Sequence, residues 1–262
     1  MPDLTEAREP FWIKHLDKFS ILLFLLLWEL VPRVGGLFHT FVAPPSLVSK
    51  TLVQMFAAGD LSGHVTISLH RAGIGFVAAA AAGIPLGFLL GGGFNTLARL
   101  VSPVLQFLGQ VNPFSLFPVF VLFFGIGEIS KGVMIFWVAL WPILFNTVNG
   151  VKGIDPLLIK SARATGANLP TLFIKVVLPA ASPGIFHGLK MSSATAFFML
   201  IAAEMIGAGS GLGWLIWNAQ INFQMPQLFA ATAVISLLGL GINGLLGALE
   251  ARLTRWHQQS ID

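Results

Sequence analysis

The sequence predicts an all-α, polytopic membrane protein, and three observations carry that prediction. Of its 262 residues, 55% are hydrophobic and only 10% are charged. Soluble domains carry roughly 25% charged residues, so this chain cannot cover itself with a hydrated surface. The apolar residues fall in runs of about 20, the length that crosses a ~30 Å hydrocarbon core. Between two of these runs lies one basic, helix-forming island, residues 151–190. It holds Lys152, Lys160, Arg163, Lys175 and Lys190, five of the chain's fifteen Lys and Arg residues, against one acid, Asp155.

In order along the chain, residues 1–19 are polar and mixed in charge. The apolar run 20–36 ends at Pro32, Arg33 and Gly35-Gly36, and no small-x-small cleavage site follows it near position 37. It therefore reads as a retained first span, not a cleaved signal peptide. Residues 66–91, rich in Ala and Gly, form the second. Residues 101–126 are interrupted by Pro103, Pro113 and Pro118, which predicts a short helix and a span in place of one rod. Residues 131–150, 185–206 and 227–249 give the fourth, fifth and sixth. The expectation is a single transmembrane domain over residues 1–262, with about six helices. Gly83-x-x-x-Gly87 in the second span is a small-xxx-small pair that lets backbones approach. Gly239, Gly241, Gly244 and Gly247 line the sixth, for packing or for self-association.

Orientation follows from the basic residues. With the N-terminus inside, the inner set is Arg8, Lys14, Lys18, Arg99, the five of the island, Arg252 and Arg255; the outer set is Arg33, Lys50 and Lys131. Eleven against three obeys the positive-inside bias and makes both termini cytoplasmic. The formal charge of +4 then reflects inner loops, with no nucleic-acid partner implied.

The island is too polar to span and far longer than a connection between two spans needs. Asp155 is placed to cap a short helix with Pro156 in its first turn, and Gly166 to stop it. Asn168 or Thr171 caps a second segment, which Pro179 and Pro183 are expected to end. The result is a protrusion, residues 151–184, presented to something in the cytoplasm.

Ionisable groups at membrane depth are costly and mark a pathway or a partner. Glu204, near the end of the fifth span, is either a path or gate residue or a structural ion pair or helix-end hydrogen bond, with Arg71 or Lys131 as the partner. His70-Arg71, His187 and Glu29 read as interfacial, snorkelling groups. Gly207–Gly213 lacks the strand context of a dinucleotide loop and reads as a flexible extracytoplasmic loop that meets a partner. With no cysteine, thiolate metal sites and disulfides are excluded. No Walker loop, metal-ligand cluster or Ser/His/Asp arrangement occurs, so no cofactor is expected, and any ATP site must lie on another chain.

The stretch Lys160-Ser161-Ala162-Arg163-Ala164-Thr165-Gly166, followed after nine residues by Val176-Val177-Leu178-Pro179, resembles the coupling loop of membrane subunits of bacterial ATP-binding-cassette (ABC) importers. Lys160 stands where that family usually has Glu, and Ser161 where it has Ala. Ala43-Pro44-Pro45-Ser46, Phe123 to Glu128 with Ser130-Lys131, Ala203 to Gly207, and Gly211 to Ile216 resemble the nitrate, sulfonate and taurine branch. The resemblance implies the type I importer permease fold in a bacterial inner membrane. It implies ATPase docking through Lys160, Ser161, Ala162, Arg163, Ala164, Thr165, Gly166 and Ala167. The implied partners are an ATPase dimer that binds the ATP, a second permease copy, an extracytoplasmic substrate-binding protein and membrane lipid. Asn146, Ser193 and Glu204 are the candidate path-lining residues. A secondary transporter or channel would need ionisable groups paired near the midplane. A membrane-embedded enzyme would need a clustered catalytic set.

Overall fold

The computed structural model describes residues 13–34 and 41–253, with side chains from residue 19 onward except Asn95. Among them the regular elements are all helical. They are α1 (Ile13–Val34), α2 (Pro45–Ala57), α3 (Asp60–Phe88, extended by a wide π turn, Leu89–Gly93), α4 (Asn95–Gln110), α5 (Pro113–Phe124), α6 (Glu128–Lys152), α7 (Pro156–Ala164), α8 (Leu169–Leu172, followed by a π segment, Phe173–Val177), α9 (Leu178–Met205), α10 (Leu212–Ile221) and α11 (Met225–Leu253).

Among the described residues, four stretches are long and apolar enough to cross a membrane: Asp60–Gly93, Glu128–Lys152, Leu169–Met205 and Met225–Leu253. A fifth is the pair Thr96–Gln110 and Pro113–Phe124, bent by 93°, at the position where Pro113 breaks the 101–126 run. The first predicted span, 20–36, follows α1 to Val34 and then leaves the described residues. The described residues group into two compact units, one through Leu61 with Ile216–Ala233, the other Ser62–Leu215 with the chain from Val234 onward.

In the larger unit α6 is the axis, and small residues set how closely its neighbours approach. A Cβ added to Gly75, Gly87 or Gly91 of α3 would lie 2.6 Å from Ile135, 2.5 Å from Thr147 or 2.7 Å from Val151 of α6. On the α9 side, a Cβ at Gly184 would meet Gly150 Cα at 2.9 Å, and Ser192 Oγ donates to the Ala139 carbonyl at 2.8 Å. Around these contacts Ala79, Ile135, Ala139, Ile143, Ala196, Phe197 and Leu200 form one buried cluster. Lipid is as apolar as these side chains, so close van der Waals packing of this kind, not hydrophobic expulsion, holds the helices together. The glycines of α11 differ: Cβ atoms at Gly241 and Gly244 would meet nothing within 4 Å.

In the smaller unit, Trp28 Nε1 donates to the Ala43 carbonyl at 3.1 Å. Glu29 is not simply interfacial. Its carboxylate accepts from Arg33, from Ser46 Oγ at 2.7 Å and from the Ser46 backbone N–H at 3.0 Å. Pro44 offers α2 no side-chain cap, so Glu29 satisfies an orphan donor of that helix's first turn.

Pro179 and Pro183 do not end the segment after the island, because α9 runs through both. In the π turn just before, the Leu178 N–H reaches back five residues to the Phe173 carbonyl. This wider turn makes room for the Pro179 ring, which would clash with an α-helical carbonyl four residues earlier. Leu178–Gly184 therefore belongs to α9.

Candidate functional site

Three places carry chemistry, and the predicted residues are distributed among them. The first is the loop between α6 and α9. Asp155 Oδ1 accepts from the Leu157 N–H at 2.8 Å and opens α7 with Pro156 at its first position. At the other end Gly166 sits at φ +81°, the Ala167 N–H bonds to the Ala162 carbonyl and the Gly166 N–H to the Arg163 carbonyl, each at 3.0 Å. That pair is a Schellman stop. Asn168, not Thr171, caps the next segment, accepting from the Thr171 N–H at 3.0 Å. α7 has no buried residue. Its leucines Leu157 and Leu158 are 66% and 51% exposed, next to Lys160 and Arg163. Ile159 packs inward against the buried cluster that includes Val151 and Ile154, and a helix fixed at both ends that leaves its other large apolar side chains bare has the form of a docking surface.

The second place is a buried ion cluster. Glu204 of α9 is fully buried and accepts from Ser68 Oγ at 2.8 Å, Arg71 Nη1 at 2.7 Å and the Gly213 N–H at 2.9 Å. Arg71 of α3 is 7% exposed, so it is not a snorkelling residue. It also grips Glu128 at the start of α6 in bidentate fashion, 2.5 Å from Nε and 2.6 Å from Nη2, and donates to the Ser210 carbonyl at 2.7 Å. Lys131 reaches Glu128 at 3.4 Å. Arg71, Lys131 and Glu204 are buried while the Glu128 carboxylate is 63% exposed; two cations and two carboxylates cancel, which is what lets the inner three stay buried.

The 207–213 segment is not a free loop. The Gly211 N–H donates to His64 Nδ1 at 3.0 Å, the Leu212 N–H donates to Ser68 Oγ at 2.9 Å, and His64 stacks on Trp214. Its glycines serve close approach. Gly211 has φ +115°, and a Cβ there would stand 2.3 Å from Glu204 Oε1; a Cβ at Gly213 would stand 2.3 Å from the Ile201 carbonyl. Sequence reasoning missed His64, Ser68 and Glu128 as members of this cluster. The available signal was that His64, Ser68 and Arg71 lie at i, i+4 and i+7, one polar face of an apolar helix.

The third place is a cavity of about 300 Å³ at the α4–α5 elbow, lined by Gln110, Val111, Trp137, Trp141, Asn146 and Thr195 among others. Asn146 Nδ2 donates to the Pro142 carbonyl at 2.8 Å. Neither indole N–H of Trp137 and Trp141 has a hydrogen-bond partner among the described residues. Ser193 lines a different opening, beside Phe76 and Leu245, and donates to the Lys190 carbonyl at 2.8 Å. The structure therefore places Asn146, Ser193 and Glu204 in three separate settings. No group of three or more metal-ligating side chains occurs among the described residues.

The family described as "Binding-protein-dependent transport system inner membrane component" matches residues 83–255, from the end of α3 to the end of α11. The chain belongs to this family. It is the multi-pass inner-membrane permease subunit of an ATP-driven ABC importer, a transport subunit and not an enzyme. Such a permease works with a separate ATPase subunit and a substrate-binding protein. Among similar proteins, SsuC of Bacillus subtilis (strain 168), named for aliphatic sulfonates transport, is 32% identical over 94% of this permease and 88% of its own length. The taurine transport system permease protein TauC of Escherichia coli (strain K12) is 30% identical, over 91% and 88%. The nitrate import permease protein NrtB of Leptolyngbya laminosa is 33% identical, over 74% and 70%. In fold the permease is similar to an inward-facing MetNI methionine ABC transporter chain, with TM-score 0.66 and 22% identity, covering 74% of this chain and 96% of that one. The fold class read from composition and the resemblance to ABC importer permeases agree with these findings.

Proposed function

We propose that this permease pairs with a second copy to form the path for a small anion of the sulfonate, taurine or nitrate kind. The names of its relatives support that cargo class. Lys160 to Ala167 dock on the ATPase subunit, and both termini lie in the cytoplasm, as the distribution of basic residues supports. A binding protein delivers cargo at the outer face, met by residues 39–65 and 207–226. Closure of the ATPase pair draws the two α7 helices together and shifts the spans between inward- and outward-open arrangements, a two-state equilibrium biased from both sides. Asn146 and the elbow cavity are the favoured stretch of the path. Glu204 acts at its outer end by holding α3, α6, α9 and the 207–213 segment as one body.

One observation carries this reading: α7 is fixed at both ends and presents Leu157, Leu158 and Lys160 with none of its residues buried. Gly166→Asp tests it. An added side chain at Gly166 meets nothing within 4 Å, so the variant strains the turn without disturbing the core. The expected result is a folded permease that no longer retains the ATPase or supports uptake-linked hydrolysis. Uptake by the solitary permease in liposomes, driven by an ion gradient, would refute the reading.

A further inference from the structure

Beneath the α7 loop lies a cavity of about 980 Å³. Its walls are mostly apolar, with Pro85, Phe88, Ile159 and Phe173 among them. Phe88 and Phe173 meet edge to face, 5.0 Å between ring centroids. Both π turns, Leu89–Gly93 and Phe173–Val177, contribute to it.

Its depth follows from helix lengths. About 20 residues cross the hydrocarbon core, whereas Asp60–Gly93 has 34 and Leu169–Met205 has 37. From Arg71 in the ion cluster to Leu89 at the cavity is a rise of about 27 Å at 1.5 Å per residue, close to one core thickness. The cavity therefore sits near the headgroup level on the side that carries the loop.

Its charge follows from two cations. Lys152, in the last turn of α6, and Arg163, in α7, both line it, and no Asp or Glu does. Neither side chain has a hydrogen bond or ion pair among the described residues. A large apolar bowl at headgroup depth with two unpaired cations fits a molecule with an acyl body and an anionic head.

We infer that this cavity binds an anionic glycerophospholipid of the cytoplasmic leaflet, its acyl chain against Phe88 and Phe173 and its phosphate toward Lys152 and Arg163. The inference takes the loop side as cytoplasmic, as proposed above. A lipid held there bridges the end of α3 and the underside of α7, so its occupancy bears on how firmly the loop is seated.

The test is native mass spectrometry of the purified permease–ATPase complex after exchange into mixed phosphatidylglycerol and phosphatidylcholine micelles. Two variants act on the cavity from opposite sides. Lys152→Gln removes one cation outside the proposed ATPase-docking residues. Gly93→Trp fills the bowl from a position where an added Cβ meets nothing within 4 Å. The wild type is expected to retain phosphatidylglycerol in preference to phosphatidylcholine. Lys152→Gln should lower that retention about fivefold, the worth of one basic side chain near an anionic surface, and Gly93→Trp should abolish it. Equal retention of the two lipids, or variants that hold phosphatidylglycerol as the wild type does, would overturn the inference. So would loss of the ATPase from Gly93→Trp with lipid unchanged, since the cavity would then hold an acidic segment of that partner. If no ATPase accompanies even the wild type, the docking proposal fails, while the lipid count on the permease alone still decides this one.

Discussion

Alanine at Gly211 acts on the buried ion cluster through the backbone, and its cost can be worked from the structure. Gly211 stands at φ +115°, and a Cβ there would lie 2.3, 2.4 and 2.6 Å from Oε1, Cδ and Oε2 of Glu204. Left-handed backbone costs an L-residue about 1–2 kcal/mol. Moving the carboxylate aside gives up at least one hydrogen bond to a buried charge, about 1.5–3 kcal/mol. Gly211→Ala should therefore destabilise by about 2.5–5 kcal/mol. Two controls separate the parts. Gly166 has φ +81° but open space around it, so Gly166→Ala should cost only the strain, about 1–2 kcal/mol. Gly209, four residues from Gly213, has neither feature, and Gly209→Ala should stay within about 0.5 kcal/mol. The assay is apparent thermal midpoint in detergent, followed by tryptophan fluorescence at one heating rate because unfolding of such proteins is commonly irreversible. The order expected is Gly211→Ala lowest, then Gly166→Ala, then Gly209→Ala level with wild type. If Gly211→Ala melts with Gly209→Ala, the segment does not rest on Glu204 as described.

Three further outcomes follow from the same geometry. Arg71→Leu should cost about 3–5 kcal/mol by leaving Glu204 buried without its cation, and Glu204→Leu should cost less, since Arg71 keeps Glu128. The double variant should cost less than their sum by about 1–3 kcal/mol, and strict additivity in the same melting assay would contradict the pair. Gly87→Ala, pressed on Thr147, should cost about 1–3 kcal/mol, while Gly244→Ala, facing open space, should be neutral; equal effects would mean that α3 and α6 are not in close contact. Asp155→Ala should cost about 0.5–2 kcal/mol of α7 stability, seen as faster hydrogen exchange in α7 with α9 unchanged. Unaltered exchange in α7 would show the cap to be idle.

What the sequence made legible was whatever is decided locally. Asp155, Gly166 and Asn168 could be placed because capping and a left-handed stop depend on a few neighbouring residues. The elbow at Pro113 was readable for the same reason, although its 93° angle was not. The misreadings came where a local sign has two physical meanings. Glycines at 207, 209, 211 and 213 suggested mobility, but Gly211 and Gly213 are there so that backbone can touch Glu204 and Ile201. Arg71 near a span end suggested snorkelling, and only the fold shows Glu128, Glu204 and Ser210 converging on it from three other segments. Pro179 and Pro183 suggested a stop, because a π turn leaves no signature in the residues that form it. Of the path candidates, Asn146 reached a cavity, whereas Glu204 was readable as an ion pair only as one of two alternatives.

The central claim is that α7 faces the cytoplasm and carries the contact with the ATPase. The chain has no cysteine, so Leu158→Cys, in a side chain now 51% exposed, introduces a single reporter. A membrane-impermeant maleimide should label it in inverted vesicles stripped of the ATPase, leave it unlabelled in intact cells, and lose access when the ATPase is restored. Labelling from outside intact cells, or labelling that the bound ATPase leaves unchanged, would contradict the account.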